Sequence, residues 1–205
     1  LAGSDVSYWR PDSLREALRI AGDGARIAAG CTDLLPATQR QRVDAANAPP
    51  ILDITAISEL AGVWAGADGL RIGATTRWTA ILKADLPPAC AALRQAAAEI
   101  GSIQIQNAGT IAGNLCNASP AADGAPPLLV LDAAIEIQSA DGGRALPLSA
   151  FLTGPRRTAL RQGEIVTAIL LPGAALAGRS CFLKLGARRH LVISIVMGAA
   201  RLAER

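Results

Sequence analysis

Cysteine is scarce in this chain and poorly placed for chemistry: Cys31, Cys90, Cys116 and Cys181 lie far apart, no C-x-x-C pair occurs, and His190 is the single histidine. Zinc and iron–sulfur centres need several sulfur or imidazole ligands at short spacing, so neither is expected within the chain. The same scatter argues against a disulfide framework and reads as four small buried or loop thiols. Because the one histidine stands beside Arg188 and Arg189, no Ser/His/Asp set can be assembled, and it reads as a surface residue. Neither G-x-G-x-x-G nor G-x-x-x-x-G-K-[ST] is present, which removes the Rossmann and P-loop ways of holding a nucleotide. No apolar run approaches the roughly 20 residues that cross a bilayer. The opening Leu1 to Asp5 has no basic segment ahead of an apolar one, so the expected location is the cytoplasm, away from membranes. The net charge of +3 comes from arginines scattered among acids, which leaves no basic stripe for a nucleic acid.

What is present is enough apolar material, 51% of 205 residues, to fill one large domain or two small lobes. Ser13 and Glu16 have capping-box spacing ahead of Leu14, Ala17, Leu18 and Ala21, which share one helical face. A buried strand is expected over Ala25 to Ala29, then a small-residue turn, then a helix over Leu34 to Gln39. Ile51 to Ile54 reads as a strand, and Val63 to Ala65 with Leu70 to Ile72 as a hairpin around Ala67-Asp68-Gly69. Pro87-Pro88 introduces a helix running to Ile100. From Gly101 to Asp123 no periodicity is visible, and a long polar stretch of that kind inside a compact domain reads as a functional loop. A buried helix at Pro126 to Leu131 follows, then a hairpin of Ile135 to Gln138 and Arg144 to Leu146 around Asp141-Gly142-Gly143. Strands are expected at Ile165 to Leu170, Cys181 to Leu185 and Ile193 to Met197. Alternating strands and helices early and antiparallel strands later suggest two lobes meeting near residues 55 to 62.

Two stretches of small residues carry the chemical interest: Ala28 to Leu34, and Ala108 to Asp123. A pyrophosphate needs several N–H donors converging on its oxygens, which glycine and alanine permit and Thr32, Thr110, Asn114 and Asn117 could assist. The plainer reading is that both are ordinary turns with polar helix caps. Lys184, one of only two lysines, reads either as a strand-edge residue or as part of a site, and Asp123 either as a helix cap or as a contact residue.

The strings AAGCTDLL, LRIGATTRWTAI, GSIQIQNAGTIAGNLCNASPAADGAPPLLVLDA and CFLKLGARRHLVIS occur in the order and spacing of one known domain. From Tyr8 onward the chain resembles the FAD-binding domain or medium subunit of the molybdenum hydroxylases, the family of xanthine dehydrogenase and carbon monoxide dehydrogenase. The resemblance implies an α+β, two-lobed FAD-binding fold of the vanillyl-alcohol oxidase (PCMH) type. A small α/β lobe at 1–58 would be followed by a larger lobe at 59–178 with a mostly antiparallel sheet, and 179–205 would open a further C-terminal domain. It implies one non-covalent FAD. The diphosphate would be wrapped by Ile27, Ala28, Ala29, Gly30, Cys31, Thr32, Asp33 and Leu34, with Thr110, Gly113 and Asn114 closing on it from the other lobe. Ile100, Asn117, Asp123, Val166 and Lys184 would complete the contacts. Cys31 and Ala112 stand where the family favours glycine, Ile100 where the animal enzymes place phenylalanine against the flavin, and His190-Leu191-Val192 where they carry acids. The implied role is electron transfer: a molybdopterin-binding large subunit hydroxylates, a [2Fe–2S] subunit or domain relays electrons, and FAD delivers them to NAD⁺ or another acceptor. The rival readings are a cofactor-free assembly module of such a complex, a self-contained FAD-dependent oxidase, and a nucleotide-binding regulator.

Overall fold

The computed structural model describes residues 7–34, 36, 48–189 and 191–203. The first layer is a three-stranded parallel sheet, β1 (Tyr8–Trp9), β2 (Arg26–Ala28) and β3 (Ile51–Asp53), in the order β1-β3-β2. Between β1 and β2 runs α1 (Leu14–Gly22), whose first turn is closed where Ser13 Oγ accepts the Glu16 N–H at 3.4 Å. The α1 face made by Ala17, Leu18, Ile20 and Ala21 is buried with Leu52, Ile54, Ile57 and Leu60, and Ile165 from the far half of the chain completes that cluster.

The second layer is a five-stranded antiparallel sheet in the order β4-β5-β10-β6-β7. Its strands are β4 (Val63–Gly66), β5 (Gly69–Gly73), β6 (Ala134–Ser139), β7 (Gly142–Pro147) and β10 (Ile165–Pro172); β8 (Leu152–Gly154) and β9 (Arg157–Thr158) form a separate small hairpin. Gly69 opens β5 at φ +138°, where a Cβ would stand 2.0 Å from the Leu171 carbonyl oxygen, so the hairpin turn and the close strand approach both require glycine. The central strand β10 carries a bulge between Val166 and Ala168. The bulge accounts for a fully buried threonine in an apolar strand: Thr167 donates its hydroxyl to Glu136 Oε1 at 2.5 Å, and Arg71 holds the same oxygen at 2.8 Å.

Packed with this sheet in one large apolar core are residues of α2 (Trp78–Lys83), α3 (Ala91–Glu99), α4 (Ile103–Ala108), α5 (Ile111–Asn117), α6 (Ala125–Val130) and α7 (Leu148–Phe151). Trp78, Leu93, Ile111, Leu128 and Phe151 meet Ile72, Ile135 and Ile169 there. Burial of each such side chain contributes about 1.5–3 kcal/mol. A last hairpin, β11 (Arg179–Leu185) with β12 (Val196–Leu202), sits on α3 through Phe182, which packs on Ala92 and Ala96. Ser180 Oγ accepts from Ala92 N at 2.9 Å and Gln95 Oε1 from Phe182 N at 2.7 Å. The arrangement is the expected two-lobed α+β fold.

Three local expectations change. The aperiodic stretch from Gly101 to Asp123 is not a continuous loop, because it contains α4 and α5, capped by Ser102 and Thr110 and broken at Gly109. The strand expected at Ile193 to Met197 begins only at Val196. The helix expected at Leu34 to Gln39 lies mostly outside the described residues, as does His190. Among the described residues no helix is long and apolar enough to cross a membrane.

Candidate functional site

The two small-residue stretches meet between the lobes. The turn before α5 is stitched to the chain leaving β5: Ile111 N–H donates to the Thr76 carbonyl at 2.9 Å, Ala112 N–H to Ala74 at 3.2 Å, and Trp78 N–H to Gly109 at 3.3 Å. The turn after β2 then presses against it so closely that a Cβ on Gly30 would lie 2.2 Å from the Ala108 carbonyl oxygen. Glycine is therefore obligatory at position 30 for a steric reason. Cys31 next to it has a left-handed backbone, φ +54°, which explains why glycine suits that position better than any L residue.

Behind this contact a cavity of about 730 Å³ opens, within the usual range for small-molecule sites. It is lined by Ile27, Ala28, Ala29, Gly30, Cys31, Thr32, Asp33, Leu34, Ile100, Thr110, Gly113, Asn114, Asn117 and Val166, so the expected positions from both lobes converge on one space. Two of them do not reach it. Asp123 and Lys184 are joined instead as a buried ion pair at 2.6 Å, each side chain 7% exposed. The Asp123 carboxylate also accepts from Ser194 Oγ, and the Lys184 ammonium also donates to the Glu99 carbonyl at 3.2 Å. Lys184 does stand on an edge strand, in the two-stranded β11–β12 hairpin, but its ammonium is turned inward and not into solvent, and the cap of α6 is Gly124, with no side-chain cap bond.

The donor inventory differs between the two turns. In the first turn of α5 every backbone N–H is committed: those of Ile111 and Ala112 to the β5 exit, Gly113 to Thr110 Oγ1 at 3.1 Å, and Asn114 to the Thr110 carbonyl at 3.1 Å. A Cβ on Gly113 would stand 2.7 Å from that capping hydroxyl. By contrast, the N–H groups of Gly30, Cys31, Thr32 and Asp33 donate to no backbone carbonyl among the described residues. The expectation of converging backbone donors thus moves to the turn after β2, while the α5 turn offers side chains. One of these is Asn114, whose Oδ1 is buried without a hydrogen-bond partner.

The cavity wall also holds residues that pattern reading missed, chiefly Trp78, Arg156 and Glu164. Arg156 reaches Asn117 Oδ1 with its guanidinium, and its own N–H donates to the Ala118 carbonyl at 2.8 Å. Arg156 and Ala118 both have left-handed backbones, φ +57° and +44°, the kind of strain that concentrates at functional sites. The signal for Arg156 was faint: an arginine pair after Gly154-Pro155. Glu164 is clamped by Arg144 through two bonds of 2.7 Å, and that guanidinium holds its carboxyl below the usual range. Burial, with the Asp53 carboxylate adding to it, pushes the Cys31 thiol up, so it lines the cavity as a neutral group. Among the described residues no three His, Cys, Asp or Glu side chains are grouped to hold a metal ion.

A second cavity, of about 590 Å³, adjoins the first and shares Ala29, Gly30 and Thr110 with it.

Comparison with known proteins gives these observations a family context. The model of the FAD binding domain in molybdopterin dehydrogenase matches residues 4–174. The chain is similar to the xanthine dehydrogenase FAD-binding subunit of Escherichia coli O157:H7, at 37% identity over 175 residues, 82% of this chain and 58% of that protein. It is also similar to the glyceraldehyde dehydrogenase medium chain of Sulfolobus acidocaldarius, at 37% identity over 171 residues, 82% of this chain and 60% of that one. Among solved structures, quinoline 2-oxidoreductase from Pseudomonas putida 86 superposes with a TM-score of 0.86 at 28% identity, covering 98% of this chain and 70% of that chain. Carbon monoxide dehydrogenase from Hydrogenophaga pseudoflava does so with a TM-score of 0.81 at 26% identity, covering 92% and 66%. The chain spans 58 to 60% of the length of the two relatives.

Proposed function

Because this chain belongs to the family of FAD-binding domains in molybdopterin dehydrogenases, we propose that it is the electron-transfer flavoprotein part of a molybdenum hydroxylase. In this reading it takes electrons from [2Fe–2S] clusters in partner parts and passes them to NAD⁺ or another acceptor. The observation that carries the reading is the convergence of the turn after β2 and the turn before α5 on one 730 Å³ cavity, where bare backbone from one lobe faces amide and hydroxyl side chains from the other.

The residues present fit a diphosphate-bridged cofactor. Gly30 leaves no room for a side chain, the neighbouring N–H groups are uncommitted among described backbone partners, and the buried Asn114 Oδ1, an acceptor without a donor, would be satisfied by a hydroxyl or N–H of the cofactor while its Nδ2 amide donates to the diphosphate. Bound there, FAD supplies the redox centre that accepts electrons from one partner and releases them to another. The chain's own residues do the rest. Gly30 to Asp33 would hold the diphosphate with backbone donors, Asn114 and Asn117 would fix it from the second lobe, and Ile100, Trp78 and Val166 would exclude water with apolar surface. Ion-paired Glu164 leaves Arg156 as the cation of this wall, a countercharge for an anionic ligand.

The partners in this proposal are a molybdopterin-binding large subunit and a [2Fe–2S] subunit, and the location is the cytoplasm. The test is an absorbance spectrum of the purified subunit followed by anaerobic stopped-flow bleaching with NADH and with other donors. A yellow protein that releases its flavin on denaturation and is bleached by a soluble donor is the expected result. A protein that ignores added FAD would be an assembly module, and turnover of a substrate by the chain alone would make it a self-contained oxidase.

A further inference from the structure

The smaller, 590 Å³ cavity has a chemistry of its own. Its wall includes Arg77 and Lys83 and no carboxylate. Arg77, Ala80 and Lys83 are spaced three residues apart along α2 and its cap, which sets them on one side of the helix. Among the described residues neither cation has a salt-bridge partner. The hydroxyls divide into spent and free. Thr75 donates to the Leu60 carbonyl at 2.8 Å, and Thr76 donates to Gly62 at 3.0 Å and accepts from its N–H at 2.9 Å. Thr79 has no such partner among the described residues, whereas the Thr55 hydroxyl is taken up by the Asp53 carboxylate and a long 3.5 Å contact from Arg10. Small residues, Ala29, Gly30, Ala61, Gly62 and Ala80, make the remaining floor.

Two cations without a salt-bridge partner among the described residues, facing a concave, hydroxyl-bearing space, focus a positive potential there. We propose that this cavity is a second binding site, distinct from the flavin cavity, that takes a small phosphate-bearing ligand through Arg77, Lys83 and Thr79. An arginine fork and a lysine ammonium are the pair that recognises a phosphoryl group by shape and by charge respectively. The two cavities share Ala29, Gly30 and Thr110, so the ligand would rest beside the turn that also faces the larger space. The site's existence does not depend on flavin filling the larger cavity; only its description as a second site rests on the function proposed above.

The probe is inorganic pyrophosphate, titrated calorimetrically into the full chain after saturation with FAD, and into the double variant Arg77→Gln, Lys83→Gln. Both side chains lie outside the larger cavity, so the variant is expected to keep its fold and its FAD content. Saturable binding to the FAD-loaded protein, weakened in the double variant by about 10-fold or more, is the expected result, since each lost charge-assisted hydrogen bond is worth roughly 10- to 150-fold. Absence of binding, equal affinity in the double variant, or displacement of FAD by pyrophosphate would each overturn the proposal. A wild-type chain that refuses FAD yet binds pyrophosphate through Arg77 and Lys83 would remove the flavin reading and leave this site standing.

Discussion

Replacing Lys184 by methionine while leaving Asp123 in place strands a carboxylate in a dry position. Both side chains are 7% exposed and 2.6 Å apart. With the ammonium gone, Asp123 keeps only the Ser194 hydroxyl on its other oxygen, and the Glu99 carbonyl loses the lysine as well. Breaking one partner of a buried pair costs about 3–5 kcal/mol, whereas replacing both partners by apolar groups of similar volume is often close to neutral. At a urea dependence of roughly 2 kcal/mol per molar for a chain of this size, the single variant should lower the unfolding midpoint by about 1.5–2.5 M. The double variant Lys184→Met, Asp123→Leu should recover most of that loss. Urea titration followed by tryptophan fluorescence measures both. A single variant within about 1 kcal/mol of wild type, or a double variant as weak as the single, would refute the reasoning. The folded double variant also settles whether these residues touch the cofactor, because unchanged FAD affinity would take both out of the site.

Substituting Gly113 by Arg places a Cβ 2.7 Å from the Thr110 capping hydroxyl, and Asn114→Leu removes the unpaired amide; each should weaken FAD binding by roughly 10- to 150-fold in a fluorescence titration while the apo-protein stays folded. Cys31→Gly should be neutral or stabilising and Cys31→Val destabilising by about 1–2 kcal/mol, read by thermal unfolding, because position 31 has φ +54°. The Arg144 guanidinium holds the Glu164 carboxyl below its ordinary value. Its contribution to stability is therefore complete above the unfolded value of about 4.3 and is lost as pH falls through the depressed folded value. In a thermal-melt series from neutral to acid pH, Glu164→Gln should lower stability at neutral pH and flatten the acid decline; an unchanged decline would dismiss the pair as a source of acid sensitivity.

Local signals made much of this fold legible. Ser13 does accept the Glu16 N–H, and the turns of both long hairpins fall where Asp68-Gly69 and Asp141-Gly142 place them, with φ +138° and +141° at the glycines. Two-turn helices defeated the same logic. α4 and α5 have 6 and 7 residues, too few for an apolar stripe to declare a period, although both caps, Ser102 and Thr110, were in view. Most of the larger cavity's lining was legible through resemblance, since small residues in the family's order mark places where backbone must approach a ligand. Long-range partnerships were not. Nothing local tells Asp123 that its counterion is 61 residues away, or Arg156 that Asn117, 39 residues back, will hold it. For the same reason the commitment of the α5 N–H groups to residues 74 and 76 was invisible until the two segments were seen together.

The small lobe does not own its core. α1 and β3 bury their apolar faces with Ile165, which is made more than a hundred residues later. During synthesis, at about 5–20 residues per second, the first sixty residues would therefore wait for several seconds with an unfinished interior before β10 leaves the ribosome. The lobe that supplies Gly30 to the cavity is thus among the first parts translated yet waits for β10 to complete its interior, so any ligand that needs both turns can be held only after β10 has been made.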